Sequence, residues 1–281
     1  MEIEISVPAK INLWLEVLRK RSDGYHDLSS LMLPVSVFDR ITIDLREVGG
    51  FEAICSHPGV PGDERNLAVR AAIAYGESAG VRTGGVIRIE KEIPVGAGLG
   101  GGSADAAGVL LALNSHFNQA VAPGDLEKIA AGLGADVPFF LHRRPALATG
   151  IGEKLEFEEG VPQYALVLIK PAMSVSTAWV YRNLKLTRGE SKIKLNTFRD
   201  SPWLLGGVAE NDLESVTLPR HPVLARIKNW LLARGAVVAL MSGSGPTVFG
   251  VFESENEAQL TADVAIGQWI GCWVRAARVL A

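Results

Sequence analysis

The sequence predicts an α+β protein of two lobes that share a cleft, with mixed or antiparallel sheets and helices packed on them. Three observations predict it. Aliphatic residues at every second position dominate the N-terminal part, helical runs fall among the strands, and strict βαβ alternation is missing, a pattern that disfavours a doubly wound parallel sheet. The composition changes near 150–160, where GIGEKLEFEEG is acidic and flanked by glycine, and this sets the lobes at 1–150 and 151–281.

The elements follow in order. Ile3, Ile5 and Val7 alternate with polar residues and Ile11, Leu13, Leu15 and Val17 do so again, the period of a half-buried strand in an antiparallel pair. RITIDLR (Arg40–Arg46) and GVIRIEKEI (Gly85–Ile93) repeat it. Between them NLAVRAAIAYGESAG opens on Asn66, is rich in alanine and ends in glycine, as a capped helix does. Ser103–Leu113 reads as a helix and PGDLEKIAAGLG as another. The second half offers strand YALVLIKP, a helix over Thr177–Leu184, a polar segment over Thr187–Asp200 and helix PVLARIKNWLLARG. Strands AVVALMSG and PTVFGVF, an acidic helix from Ser254 and strand CWVRAARVL complete it.

A chain of 281 residues with 48% hydrophobic and 21% charged residues has ample material for a core. Its formal net charge of −3 argues against a broad nucleic-acid footprint, which shows as a basic stripe, while leaving room for a local basic pocket that takes a small charged ligand. Cys55 and Cys272 form neither a disulfide framework nor a zinc spacing and read as reduced, buried thiols. The five histidines are scattered, so no structural metal site is inferred. MEIEISV lacks the basic start and apolar run of a signal peptide, and no stretch approaches the roughly twenty apolar residues that span a bilayer. The expectation is a cytoplasmic protein without membrane or nucleic-acid partners, a monomer or a weak dimer.

The most informative stretch is PVGAGLGGGSADAAGVL (Pro94–Leu110), with five glycines among residues 96–102. Gly96, Gly98 and Gly101 satisfy the dinucleotide fingerprint, but the preceding strand alternates and 116–121 holds no acid for a ribose. A Walker loop fails too, because Ser103 and Ala104 follow Gly102 where lysine and Ser or Thr are required. What remains is common to both motifs: bare backbone whose N–H groups approach phosphate oxygens, followed by the positive end of a helix. The loop reads as a phosphate cradle. SGSGPTVF carries Ser242 where a nucleophile elbow needs its first glycine, so a serine hydrolase is unsupported.

PVGAGLGGGSADAA resembles the phosphate loop of the GHMP kinases, the galacto-, homoserine, mevalonate and phosphomevalonate kinases, whose usual form is P-x-G-x-G-L-G-S-S-A. Gly101 and Gly102 stand where that form has serines. The triple glycine with Ser103 after it is similar to one branch of the family, whose members phosphorylate the 2-hydroxyl of a cytidine-diphosphate-linked methylerythritol for isoprenoid synthesis. PAKINLWLEVLRKRSDGYHDL (Pro8–Leu28), GADVPFFL (Gly134–Leu141) and MSGSGPTVFGVF (Met241–Phe252) carry the same resemblance across most of the chain. Homoserine-kinase-like or mevalonate-kinase-like activity, or a nucleotide-binding regulator without catalysis, are the alternatives.

The resemblance implies a two-lobed fold and ATP with Mg²⁺ as cofactor. ATP would lie over Pro94, Val95, Gly96, Ala97, Gly98, Leu99, Gly100, Gly101, Gly102, Ser103 and Ala104, with Asn66 near adenine, Lys91 at adenine or phosphate, and Ser103 approaching the metal. Asp136 would be the general base and Lys10 would keep it ionised and neutralise charge on the γ-phosphate. Tyr25, His26, Thr177 and Tyr181 would grip cytosine, with Asn12 beside Lys10 and with Gly243, Ser244 and Gly245 closing the site. Each position has a plainer alternative. Asp136 and Asn66 suit helix N-caps, Lys10 and Asn12 a solvated strand face, Tyr25 and His26 a surface turn, and Thr177 and Tyr181 an ordinary amphipathic helix.

Overall fold

Along most of the first strand the polar face is as deeply covered as the apolar face. In the computed structural model, which describes residues 2–47, 49–186 and 209–280, strand β1 (Glu2–Lys20) is buried on both sides from Val7 to Val17. The half-buried alternation expected from the sequence holds from Glu2 to Val7, where Glu2, Glu4 and Ser6 are exposed, and is corrected from there to Val17. Lys10, Asn12 and Glu16 lie inside with Ile11, Leu13 and Leu15, and burying them requires polar partners on that face. The two runs read as separate strands are one, and β1 pairs with a slightly longer β2 (His26–Arg46).

The fold is α+β, and the chain divides into two compact units: residues 1–9, 37–95 and 100–143 form one, and 10–36, 96–99 and 144–281 form the other. In the first unit, β4 (Gly84–Glu90) pairs antiparallel with Arg40–Arg46 of β2 and parallel with β3 (Phe51–Cys55). Helices α1 (Leu67–Ala79), α2 (Gly101–His116), α3 (Pro123–Leu133) and α4 (Val137–His142) belong to this unit. Asn66 caps α1 by accepting the Ala68 N–H at 3.0 Å, and Gly80 ends it in a left-handed turn, as the sequence indicated. Helix α2 buries most of its circumference, Ala104, Ala107, Val109, Leu110 and Leu113 among it; small alanines let its neighbours approach.

In the second unit, Leu28–Met32 of β2 pairs with β5 (Ala146–Gly150), and β5 turns into β6 (Lys154–Phe157). The acidic stretch at 150–160 thus lies in a hairpin. A separate antiparallel sheet has the order β10–β7–β9–β8, from β7 (Ala165–Lys170), β8 (Val238–Met241), β9 (Val248–Phe252) and β10 (Trp273–Arg278). Helices α5 (Thr177–Asn183), α6 (Glu214–Arg220), α7 (Pro222–Ala233) and α8 (Glu255–Gln268) accompany it, and Val167, Ile169, Leu224, Ile227, Leu231 and Phe252 share its core. The polar segment 187–200 lies outside the described residues. Cys55 and Cys272 are free and half-buried rather than buried. No helix among the described residues is long and apolar enough to cross a membrane.

Candidate active site

The approach to α2 has a left-handed backbone at every second residue: φ is 63° at Gly96, 78° at Gly98 and 74° at Gly100. That conformation costs other residues about 1–2 kcal/mol each and glycine almost nothing. Gly100 is the N-cap of α2 and supplies no side-chain capping bond. The first N–H groups of a helix have no partner within it; here none comes from a cap, so they and the positive end of the helix are open to an oxyanion. The left-handed backbone thus falls on glycines of the loop that the sequence singled out.

Within the second unit, the Gly96–Leu99 stretch is laid against a second glycine turn. Ser242 Oγ donates to Gly98 O at 2.9 Å, Thr247 N to Ala97 O at 3.2 Å, and Lys10 N to Leu99 O at 3.0 Å. A Cβ on Gly98 would stand 2.2 Å from Ser242 O, so only glycine permits this approach.

Lys10 is 4% exposed and Asn12 is 2% exposed, which removes the solvated-face alternative. Lys10 Nζ donates to Asn12 Oδ1 at 2.6 Å, Asn12 Nδ2 to Ser30 Oγ at 2.7 Å, and Ser30 Oγ to Trp14 O at 2.7 Å. A Cβ on Gly243 would meet Asn12 Oδ1 at 3.4 Å and Lys10 Nζ at 3.6 Å, so the second glycine turn lies directly over this pair. Lys10, Asn12, Gly98 and Gly243, chosen separately in the sequence, are neighbours.

Two residues that sequence reasoning missed hold this arrangement. Asn211 is buried and its Nδ2 donates to Met241 O at 2.6 Å and Gly243 O at 2.8 Å, while its Oδ1 accepts from Leu213 N at 3.0 Å. Ser30 is the hinge of the Asn12 network. The signal for Asn211 is faint, one amide in the polar run Glu210–Asp212.

Ser244 Oγ and Thr177 Oγ1 share a hydrogen bond of 2.8 Å, which ties the head of α5 to the same turn. One turn along α5, Tyr181 stacks on His26 with ring centroids 5.2 Å apart and planes at 29°. Burial, and then the charge of Lys20, hold the His26 imidazole below its ordinary pKa. Tyr25 is 61% exposed on a turn fixed by Arg21 N to Tyr25 O at 2.8 Å and Tyr25 N to Asp23 Oδ1 at 3.1 Å.

In the first unit, Asp136 is the N-cap of α4, yet its side chain makes no capping bond to that helix. Asn66 does cap, and its Nδ2 also donates to Pro61 O at 2.9 Å. Lys91 is buried with Asp39 and Asp105, forming ion pairs with both, the Asp105 contact at 2.8 Å. Burial pulls the Lys91 pKa down but the two carboxylates outweigh it, and burial drives the Asp105 carboxyl well above the usual carboxylate range. Ser103 lies half-buried in the first turn of α2.

Comparison with known proteins bears on this arrangement. A family model described as the GHMP kinases N terminal domain matches residues 66–144 and one described as GHMP kinases C terminal matches 201–267. A Geobacter sulfurreducens protein named 4-diphosphocytidyl-2-C-methyl-D-erythritol kinase is 45% identical over 275 residues, 98% of this chain and 99% of its own. This chain belongs to the GHMP kinases.

Among other GHMP kinases, a Syntrophotalea carbinolica protein of the same name is 47% identical over 256 residues, 91% of each chain. A crystal structure of 4-(cytidine 5'-diphospho)-2C-methyl-D-erythritol kinase superposes with a TM-score of 0.84 at 37% identity, covering 99% of this chain and 100% of that one. A homoserine kinase from Cytophaga hutchinsonii, 21% identical with a TM-score of 0.76 over 100% of this chain and 95% of its own, shares the GHMP kinase fold.

Proposed function

We propose that the chain is an ATP-dependent kinase that phosphorylates the 2-hydroxyl of 4-diphosphocytidyl-2-C-methyl-D-erythritol, a step toward isoprenoid precursors. One observation carries the kinase reading: the glycine loop opens on an uncapped helix while a buried Lys10–Asn12 pair underlies the second glycine turn. Phosphoryl transfer asks a protein for positioning and charge stabilisation, which bare N–H groups and a fixed ammonium supply.

In this reading Asp136 accepts the proton of the acceptor hydroxyl, the freed oxygen forms the bond to the γ-phosphorus, and the bond from that phosphorus to the bridging oxygen breaks to leave ADP. Lys10 offsets the charge on the transferred group. Tyr25 offers its exposed ring to cytosine, and His26, Tyr181 and Thr177 line the same pocket.

The donors suit a magnesium ion that arrives on the nucleotide. Among the described residues no group of three His, Cys, Asp or Glu is placed to hold a metal by itself, and Ser103 offers one hydroxyl in the first turn of α2. When bound, magnesium neutralises phosphate charge.

The test is ADP release from Mg-ATP with the cytidyl acceptor, homoserine or mevalonate supplied in turn. Turnover with the cytidyl compound alone is the expected result, and turnover confined to either of the others overturns the acceptor assignment.

A further inference from the structure

One buried carboxylate closes the base of the glycine loop. Asp39, on β2, is fully buried. Its Oδ1 accepts the backbone N–H of Glu92 at 2.7 Å and of Ile93 at 2.8 Å, and its Oδ2 pairs with the Lys91 ammonium. The same ammonium donates to Asp105 Oδ2 at 2.8 Å, and Asp105 lies in α2 one turn past its start. The chain entering the loop at Ile93 and the chain leaving it along α2 are therefore tied to one residue. A Cβ on Gly101 would fall 3.0 Å from Ile93 Cγ2 and 3.1 Å from Lys91 Nζ, so the helix start rests on this cluster.

We propose that Asp39 and Asp105 are positioning residues which, through Lys91, clamp both ends of the glycine loop and hold its phosphate-binding N–H groups in place before nucleotide arrives. The inference rests on the reading of that loop as the ATP site. Its physical basis is entropic: glycine loses more conformational freedom on ordering than any other residue, and donors fixed in advance bind more tightly than donors ordered by the ligand. Stability alone does not call for the cluster. Two carboxylates on one buried ammonium gain little over apolar packing, and Asp105 Oδ1 is buried with no hydrogen-bond partner. A second consequence concerns Lys91. Its side chain is 6% exposed and its ammonium is committed to two aspartates, so it serves nucleotide through the clamp, in place of the direct contact expected from the sequence.

The experiment combines steady-state kinetics with hydrogen exchange of the 94–104 amides, with and without Mg-ATP, in the wild-type chain, Asp105→Asn and Asp39→Asn. Wild-type protection of these amides by Mg-ATP is expected, and its absence overturns the loop as the ATP site. With that protection present, the clamp predicts faster exchange at 94–104 in nucleotide-free Asp105→Asn and an ATP KM raised about ten-fold, against an acceptor KM within about two-fold of wild type. Unchanged exchange and ATP KM, or an equal rise in both KM values, overturns the clamp. Asp39→Asn disturbs the ties to both ends and is expected to shift further; Asp105→Asn leaves the three Asp39 contacts in place and decides the matter where Asp39→Asn does not fold.

Discussion

Lys10 donates to Asn12 two residues along the same face of β1, at 2.6 Å and buried, so a neighbouring amide helps to direct a buried ammonium. Asn12→Leu keeps the approximate volume and removes the acceptor. The expected result is a fall in kcat/KM of about a hundred-fold from misdirection of the ammonium with a stability loss of about 1–3 kcal/mol from unsatisfied buried groups. Kinetics and thermal unfolding check both. A kcat/KM equal to wild type removes Asn12 from the alignment of Lys10.

Asp136 stands at the N-cap position of α4 without a capping bond to that helix, and the proposed mechanism makes its carboxylate the general base. For Asp136→Ala we expect kcat to fall by about 10²–10⁴, the usual worth of a general base, while the ATP KM stays within a few-fold. Retained kcat would strike it from the mechanism.

Tyr25 presents an exposed ring and precedes His26, which stacks on Tyr181. Removing one base-stacking ring costs about 1–3 kcal/mol, so Tyr25→Ala should raise the KM of the cytidyl acceptor about ten-fold, with the ATP KM unchanged. Thermal stability should barely move, since the side chain is mostly in water. A parallel rise in both KM values would place Tyr25 elsewhere.

Much of the fold was legible because it rests on local signals. Asn66 and Gly80 frame α1, Ser254 caps α8 by accepting from Glu257 N at 3.2 Å, and the glycine run marks the start of α2. What was not legible depends on the covering of both faces of a strand. Residues 26–39 are given no strand by the sequence because HDLSSLMLPVSVFD lacks alternation, yet they belong to β2, where buried Ser30 and Asp39 bond to partners distant in sequence. For the same reason Lys10 and Asn12 looked like solvated positions. A linear boundary was also the simplest one to draw, whereas the compact units interleave along the chain. Asn211, Ser30, Asp39 and Asp105 were passed over because a lone polar residue gains its meaning from what it reaches in space.

Two glycines separate geometric need from habit. A Cβ at Gly98 would press on Ser242 O in a left-handed backbone, so Gly98→Ala should destabilise by about 3 kcal/mol or more. Gly132, inside α3, has no atom within 4 Å of its would-be Cβ, and Gly132→Ala should stabilise by about 0.5–1 kcal/mol. Denaturant unfolding of the two variants is the check, and a Gly98→Ala chain as stable as wild type would contradict the close approach.

His26 gives the pH dependence its sign. Burial holds the imidazole below its ordinary 6.5, so the folded chain favours the neutral ring and the unfolded chain binds the proton more readily. The contribution to stability is fully present above 6.5 and is lost as pH falls from there through the lower folded value. Thermal unfolding of wild type and His26→Gln between about pH 7.5 and about pH 5 tests this; the variant should show the flatter profile. Identical profiles would refute the assignment.

An uncapped helix start is indiscriminate toward tetrahedral oxyanions. Sulfate or inorganic phosphate in a storage buffer should settle on the α2 amides, raise the melting temperature by mass action and compete with nucleotide. Assays run in phosphate would then understate affinity for ATP, and the choice of buffer salt becomes a variable of the enzymology.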